Sequence, residues 1–282
     1  MEGRKLPGII RIIRPANAMV AGLAAVLGYF IASGTVVPGA LLLLAIVFLV
    51  TAGGNTINDY VDAGIDRVNR PGRPIPSGEV SPRQAWYEAS LLFAAGIILT
   101  FFTNPLCLAI AVFNSLLLVF YAYRLKRTTF LGNAAVAYLS ASIFLFGGAY
   151  LGPEGALKVV PISVITFCAM ISRELLKAAE DVQGDAGVGA RTVPVRFGIQ
   201  TTVLLSLGAA VLAVTASLYP VVWWGVPYLA GIVPVDLVIL AAALLPVRCR
   251  DPGCVRRTRA TSLLKVGMFA ALVVFLAAVF LA

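Results

Sequence analysis

Long apolar runs recur from one end of the chain to the other and are separated by short polar segments. Runs such as 41–50 and 263–282 show no alternation of polar and apolar positions, so they do not match the strands of a membrane β-barrel. Runs of this kind predict membrane-spanning helices. The predicted fold is an all-α membrane protein, with 1–282 as a single transmembrane domain. We expect about nine spans, at 17–32, 38–59, 86–103, 105–123, 131–151, 161–179, 201–219, 226–247 and 263–281.

Composition supports this fold, and the distribution of charge predicts how the chain is oriented across the membrane. The 282 residues are 60% hydrophobic and 12% charged, which leaves too little polar surface for a soluble protein of this length. Of 22 Lys and Arg, all but Lys158 lie at the N-terminus or near the connections after the second, fourth, sixth and eighth spans. This predicts a multi-pass protein of the cell membrane, with a cytoplasmic N-terminus and a C-terminus outside. The net charge of +9 therefore reflects orientation and not nucleic-acid binding.

The densest group of acidic residues follows the apolar run 40–50. Side-chain oxygens come from Asn58, Asp59, Asp62 and Asp66, and the basic residues Arg67, Arg70 and Arg73 follow. Asn58, Asp62 and Asp66 are four apart, so on a helix they share one face. Carboxylates crowded at a membrane edge repel each other and are costly to desolvate. A divalent cation is the natural compensation.

A second acidic group ends the sixth span, where Asp181 and Asp185 are again four residues apart. Both groups are predicted on the cytoplasmic side. Two clusters of oxygen ligands suit Mg²⁺, which is commonly held by a few carboxylates together with substrate phosphates. The chain has no His, which disfavours zinc, and no Walker-type loop. Basic residues expected to complete a diphosphate site are Arg67, Arg70, Arg73, Lys126 and Arg191.

A purely structural alternative is a solvated helix end held by ion pairs, for example between Lys177 and Asp181. Two matching acidic groups on one side of the membrane favour a functional site over this alternative. Cys249 and Cys254 flank a loop and are expected to be free or locally bridged instead of binding metal.

These motifs resemble those of the UbiA superfamily of intramembrane prenyltransferases. The resemblance covers nearly the whole chain and rests on two acidic motifs and four further signatures. The quoted matches are Asn58-Asp-x-x-Asp62-x-x-x-Asp66, Asn69-Arg-Pro, Arg73-Pro-Ile-Pro-Ser-Gly78, Asp181-x-x-x-Asp185, the basic segment 121–127 with Gly132-Asn133, and Arg14-Pro15 with Asn17.

The resemblance implies nine helices around a central cavity and Mg²⁺-dependent transfer of a prenyl group from a polyprenyl diphosphate to a lipid-like acceptor. Asp62, Asp66, Asp181, Asp185 and Lys126 would be catalytic. The metal ligands would be Asn58, Asp59, Asp62, Asp66, Asp181 and Asp185. Substrate contacts would come from Asn17, Arg67, Arg70, Arg73, Tyr121, Tyr123, Lys126, Asn133 and Lys177.

Within the superfamily, the segment 173–198 resembles most the archaeal enzymes that make digeranylgeranylglyceryl phosphate by forming the second ether bond of archaeal lipids. The phosphate of that acceptor would need a further cationic contact, for which Arg11, Arg14, Arg173 and Lys177 are candidates. The alternatives are the same chemistry on an aromatic acceptor such as 4-hydroxybenzoate, a cation-coupled transporter, and a non-catalytic lipid-binding protein. Tyr121, Tyr123 or Tyr138 would either face a prenyl cation or belong to the interfacial aromatic belt.

Overall fold

The computed structural model describes residues 6–35, 37–187 and 189–281, and within them all regular secondary structure is helical. Short 3₁₀ turns follow two of the helices, at Leu125–Arg127 and Leu245–Arg248. The helices are α1 (Gly8–Ile12), α2 (Pro15–Ser33), α3 (Ala40–Asn69), α4 (Pro82–Thr100), α5 (Pro105–Tyr123), α6 (Leu131–Ala149), α7 (Pro153–Lys158), α8 (Val160–Gly187), α9 (Val193–Ser217), α10 (Val221–Leu244), α11 (Pro252–Arg257) and α12 (Ala260–Leu281).

The all-α membrane fold is confirmed, with a smaller number of clear spans than predicted. Seven helices of the described chain are long and apolar enough to cross a membrane. Helices α4 and α8 occupy the positions of the other two expected spans but do not belong to these seven. Both carry charge within the helix, at Arg83 and Glu88 in α4 and between Arg173 and Asp185 in α8. The predicted count of nine therefore includes two helices that composition alone does not mark as spans.

Two helices continue beyond the apolar run that predicted them. The second span was expected to end at 59, but α3 continues to Asn69, and α8 continues to Gly187 beyond the expected end at 179. Polar residues can continue a helix once it leaves the apolar layer, because its hydrogen bonds are internal. Each acidic motif therefore lies on one uninterrupted helix.

The chain divides into two compact units, one of residues 1–123 and 143–157 and the other of residues 124–142 and 158–282. In the first unit, α3 packs against α2, α4 and α5. The helices approach closely through small residues, as is common in membranes. A Cβ on Gly28 would lie 2.7 Å from the Phe144 carbonyl oxygen, and one on Gly147 would overlap the Ala25 carbonyl oxygen.

In the second unit, α8 packs against α9, and α10 packs against α12. The hydroxyls of Ser172 and Ser206 are 2.9 Å apart, and the Ser206 hydroxyl also donates to the Ser172 carbonyl. Cys249 and Cys254 form a disulfide that spans the connection between α10 and α11, which confirms the locally bridged alternative.

Candidate active site

The acidic row of α3 is the part of the site that the sequence predicted most directly. Asn58, Asp62 and Asp66 all lie on this helix, with one turn between successive members. The side-chain oxygen of Asn58 is buried, and it has no hydrogen-bond partner among the described residues. A buried acceptor without a donor costs free energy, so an ion, a water or a ligand group that binds this oxygen would be stabilising.

Arg73 joins two carboxylates of α3. Its Nη1 lies 2.5 Å from Asp66 Oδ2 and 3.1 Å from Asp59 Oδ1. Both aspartates are buried, and a buried carboxylate needs a counter-charge. Arg73 therefore supplies positive charge to α3 itself, in addition to any contact with a substrate.

A second guanidinium approaches Asp59 from the N-terminal side. Arg14, between α1 and α2, has a left-handed backbone (φ 51°, ψ 64°), and its Nη2 lies 2.5 Å from Asp59 Oδ1. The Asn55 amide of α3 donates to the carbonyl of Ile13, at 3.0 Å. These two contacts fix the turn between α1 and α2 against α3.

The segment after α3 holds its arginines on a compact turn. The Arg70 N–H donates to the Asp66 carbonyl, and the Ser77 N–H donates to the Arg73 carbonyl. Ile75 and Val80 are buried in a small apolar cluster with residues of α1 and α4. Hydrogen bonds and burial together set where the arginines of this segment lie.

Four arginines surround one cavity of about 320 Å³ in the first unit. We call it the arginine cavity. Of the three arginines predicted to contact a diphosphate, Arg70 and Arg73 line this cavity, whereas Arg67 lies on the exposed surface and does not. Its lining consists of Arg11, Arg14, Asp59, Arg70, Gly72, Arg73 and Pro74.

The second acidic row lies on α8, because the helix persists through Asp181 and Asp185. Burial raises the pKa of Asp185, and the charge of Asp181 raises it further, while Lys177 lowers it. The ion pair that the structural alternative offered, between Lys177 and Asp181, does not form; Lys177 Nζ instead lies 4.0 Å from Glu174 Oε2. Asp181 is exposed and Asp185 is half-buried, so both are open to a ligand.

A backbone hydrogen bond ties the basic segment after α5 to the segment after α8. The Arg191 N–H donates to the Arg127 carbonyl at 2.9 Å, next to Lys126. Lys126 and Arg191, both predicted to contact phosphate, therefore lie on adjoining segments. Asn133, in the first turn of α6, lies close to the basic segment, because a Cβ on the neighbouring Gly132 would lie 2.6 Å from the Leu125 carbonyl oxygen.

Three of the remaining predicted residues lie in the first or last turn of a helix, and Tyr138 lies in the middle of α6. Asn17 is exposed in the first turn of α2, and Tyr121 and Tyr123 lie in the last turn of α5. Tyr138 is half-buried on α6. Across the described residues, no three acidic or cysteine side chains converge closely enough to hold a metal ion alone.

Three contacts around the site lay outside the sequence-based prediction. Arg11 Nη1 pairs with Glu79 Oε1 at 2.6 Å. On the other unit, Glu180 accepts a hydrogen bond from the Thr261 hydroxyl through its side chain and from Arg256 through its carbonyl. Each joins residues more than 60 positions apart, and no local pattern in the sequence signals such a pair.

Comparisons with known proteins agree on one family. Residues 21–273 match the model described as the UbiA prenyltransferase family. A protein of Methanoregula boonei named digeranylgeranylglyceryl phosphate synthase is 58% identical over 275 residues, covering 97% of this chain and 99% of that protein.

Solved structures show the same fold. One, described as giving structural and mechanistic insights into the biosynthesis of digeranylgeranylglyceryl phosphate synthase in membranes, has a TM-score of 0.82 at 31% identity and covers 96% of this chain and 97% of its own. Another is a UbiA homolog from Archaeoglobus fulgidus bound to GPP and Mg²⁺, with a TM-score of 0.67 at 16% identity, covering 94% and 99%.

Proposed function

The chain belongs to the UbiA prenyltransferase family, and we propose that it transfers a geranylgeranyl group from its diphosphate to geranylgeranylglyceryl phosphate, which forms the second ether bond of archaeal membrane lipids. That it is a prenyltransferase follows from the family model and from relatives named digeranylgeranylglyceryl phosphate synthase, which are 58% and 57% identical over nearly the full chain. The donor, the acceptor and the dependence on Mg²⁺ are the proposal. The observation that carries it is the row of oxygen ligands on α3, with the buried and unpartnered oxygen of Asn58 within it.

The residues of both rows fit Mg²⁺. Asn58 and Asp62 on α3, and Asp181 and Asp185 on α8, offer only oxygen atoms, which this ion prefers. Since no three carboxylates converge among the described residues, one or two carboxylates together with substrate phosphates and water would hold the ion. The Archaeoglobus relative, described as bound to GPP and Mg²⁺, supports the same assignment. When bound, Mg²⁺ would supply positive charge to the departing diphosphate.

We assign metal binding to the two acidic rows and contacts with phosphate oxygens to basic residues. Asp66 and Asp59 belong to the metal set that the family resemblance implies, and here they also hold Arg73 in place. Arg67 and Lys126 would donate to oxygens of the donor diphosphate, Arg67 as a forked donor and Lys126 as a point charge. Lys177 would add a cation near Asp185. Asn17, Tyr121, Tyr123 and Asn133 would contact the substrates.

The chemistry then follows from charge and exclusion of water. The bond between C1 of the donor and its diphosphate oxygen breaks as negative charge develops on the diphosphate, where the basic residues stabilise it. The acceptor hydroxyl oxygen bonds to C1, and its proton passes to the departing diphosphate. Apolar helices around the prenyl chain would exclude water, which would otherwise capture the allylic cation.

Orientation is part of the proposal. The distribution of Lys and Arg supports a cytoplasmic N-terminus, a C-terminus outside, and both acidic rows at the cytoplasmic membrane surface. Donor and acceptor would then reach the site from the inner leaflet of the cell membrane, with their chains in the bilayer.

The test is a comparison of acceptors with one donor. Purified protein receives geranylgeranyl diphosphate and Mg²⁺ with either geranylgeranylglyceryl phosphate or 4-hydroxybenzoate, and the products are identified by mass. The proposal predicts a product with the glycerol ether only. A product with the aromatic acceptor alone would assign the chain to the rival chemistry within the same family.

A further inference from the structure

The arginine cavity has more positive charge than its acidic neighbours neutralise. Asp59 lines it, and Asp66 and Glu79 pair with two of its arginines, so three carboxylates face four guanidinium groups. Arg70 forms no ion pair with any residue that the structure describes, although its backbone N–H holds it to the end of α3. Among the described residues, the cavity therefore presents one guanidinium group without a carboxylate partner, on a backbone held to the end of α3.

The arrangement suits a phosphate monoester better than a metal-bound diphosphate. The carboxylate of the cavity, Asp59, already accepts hydrogen bonds from Arg14 and Arg73, so it is neutralised by cations from the protein. Arg11 donates to Glu79 and to the Gly72 carbonyl, which fixes its guanidinium at the cavity wall. Forked arginine donors match the oxygens of a phosphate dianion.

The surroundings of the cavity point to an amphiphilic ligand. A neighbouring cavity of about 540 Å³ shares Arg11 and Gly72 with it and is also lined by Leu6. Beside it, α1 exposes the apolar side chains of Ile9 and Ile10. A molecule with a phosphate among the arginines could therefore keep an apolar chain against α1 and the bilayer.

We propose that the arginine cavity binds the phosphate group of the prenyl acceptor, and that Arg70 makes acceptor recognition depend on that phosphate. This inference rests on the proposed function and deepens it. In a glycerol phosphate, the phosphate and the free hydroxyl are on neighbouring carbons. Arg73 of the cavity pairs with Asp59 and also with Asp66, a member of the acidic row, so a phosphate held there keeps the hydroxyl near that row.

The test compares one acceptor with and without its phosphate. The assay uses wild type, Arg70→Gln and a control variant, Arg83→Gln. Arg83 is an exposed residue of α4 that does not line the cavity. Each protein receives geranylgeranylglyceryl phosphate or the alcohol geranylgeranylglycerol, with the same donor. For Arg70→Gln we expect kcat/KM for the phosphorylated acceptor to fall about 10- to 100-fold, the range of one or two charge-assisted hydrogen bonds. For the alcohol, kcat/KM should stay within about twofold, and so should the KM for donor. Arg70→Lys should recover part of the loss.

Two results would overturn the inference and leave the proposed function intact. One is an equal loss of kcat/KM on both acceptors, which would place Arg70 in the common chemistry. The other is a rise in the KM for donor with no change in phosphate discrimination. A third result would also overturn the inference, and it comes from assays in vesicles of neutral lipid and of anionic lipid. An effect of Arg70→Gln that is confined to anionic vesicles would show that the cavity binds bilayer headgroups. If wild type converts neither glycerol acceptor but does prenylate 4-hydroxybenzoate, both the inference and the proposed function are wrong.

Discussion

Replacing Arg73 with alanine should damage the protein more than any other single arginine substitution around α3. Arg73 is the counter-charge of Asp66 and shares Asp59 with Arg14. Without it, Asp66 keeps no other cationic partner among the described residues, whereas Asp59 retains Arg14. Arg73→Ala therefore leaves the buried carboxylate of Asp66 without a cation. Arg14→Ala, by contrast, leaves Asp59 paired with Arg73.

The size of the effect follows from burial. The side chains of Asp66 and Arg73 are only 8% and 19% exposed, so the pair is close to the buried limit. Leaving one partner of a buried pair uncompensated costs about 3–5 kcal/mol, and we expect about 3 kcal/mol for Arg73→Ala because the guanidinium is not fully enclosed. Arg14→Ala removes one charge-assisted hydrogen bond to a carboxylate that stays paired, so we expect about 1.5 kcal/mol. Arg67→Ala, at an exposed position, should change stability by less than about 0.5 kcal/mol.

The assay is equilibrium unfolding of the purified variants in one detergent at neutral pH. The expected order of destabilisation is Arg73, then Arg14, then Arg67. Mg²⁺ should stabilise Arg73→Ala more than it stabilises wild type, because a cation can then occupy the vacated place beside Asp66. If Arg73→Ala proved no less stable than Arg14→Ala, Asp66 would not depend on this ion pair and our account of the α3 terminus would be wrong.

Three further predictions follow from packing, cross-linking and the cavity. Gly147→Ala should strongly destabilise the protein, because the added Cβ would overlap the Ala25 carbonyl oxygen. Gly208→Ala should be neutral or slightly stabilising, because the space around Gly208 is open, and thermal unfolding of the two variants checks the difference. Cys254→Ser opens a short disulfide loop and should lower stability by about 2 kcal/mol, a loss that reductant should reproduce in wild type and not in the variant. Arg70→Gln should reduce discrimination between phosphorylated and dephosphorylated acceptor while leaving the unfolding midpoint unchanged.

Much of the fold was predictable because apolar runs must form helices in a bilayer. The predicted span 105–123 coincides with α5, and most other boundaries differ by a few residues. The largest differences are at the C-terminal ends of α3 and α8 and at the N-terminal end of α9, where the helix extends beyond the predicted apolar span. Hydrophobicity signals where a helix lies in the membrane and carries no information about where a polar helix ends.

The candidate site was predictable as two acidic rows but not as a set of ion pairs. A spacing of four residues places Asp181 and Asp185 on one face whenever the helix continues, so the rows follow from sequence. Which arginine neutralises Asp59 depends on the approach of Arg14, 45 residues away, on a left-handed turn. Such an approach is set by tertiary packing, and for this reason the arginine cavity was visible only in the structure.

The most direct test of the account is the dependence of product formation on Mg²⁺ and on one residue from each acidic row. Wild type, Asp62→Ala and Asp181→Ala are incubated with geranylgeranyl diphosphate and geranylgeranylglyceryl phosphate, in Mg²⁺ or in EDTA, and digeranylgeranylglyceryl phosphate is measured by mass spectrometry. We predict product from wild type in Mg²⁺, none in EDTA, and a loss of at least about 100-fold in kcat/KM for either variant. Undiminished product in EDTA, or full activity of both variants, would contradict the assignment of the two rows to a metal-assisted diphosphate site.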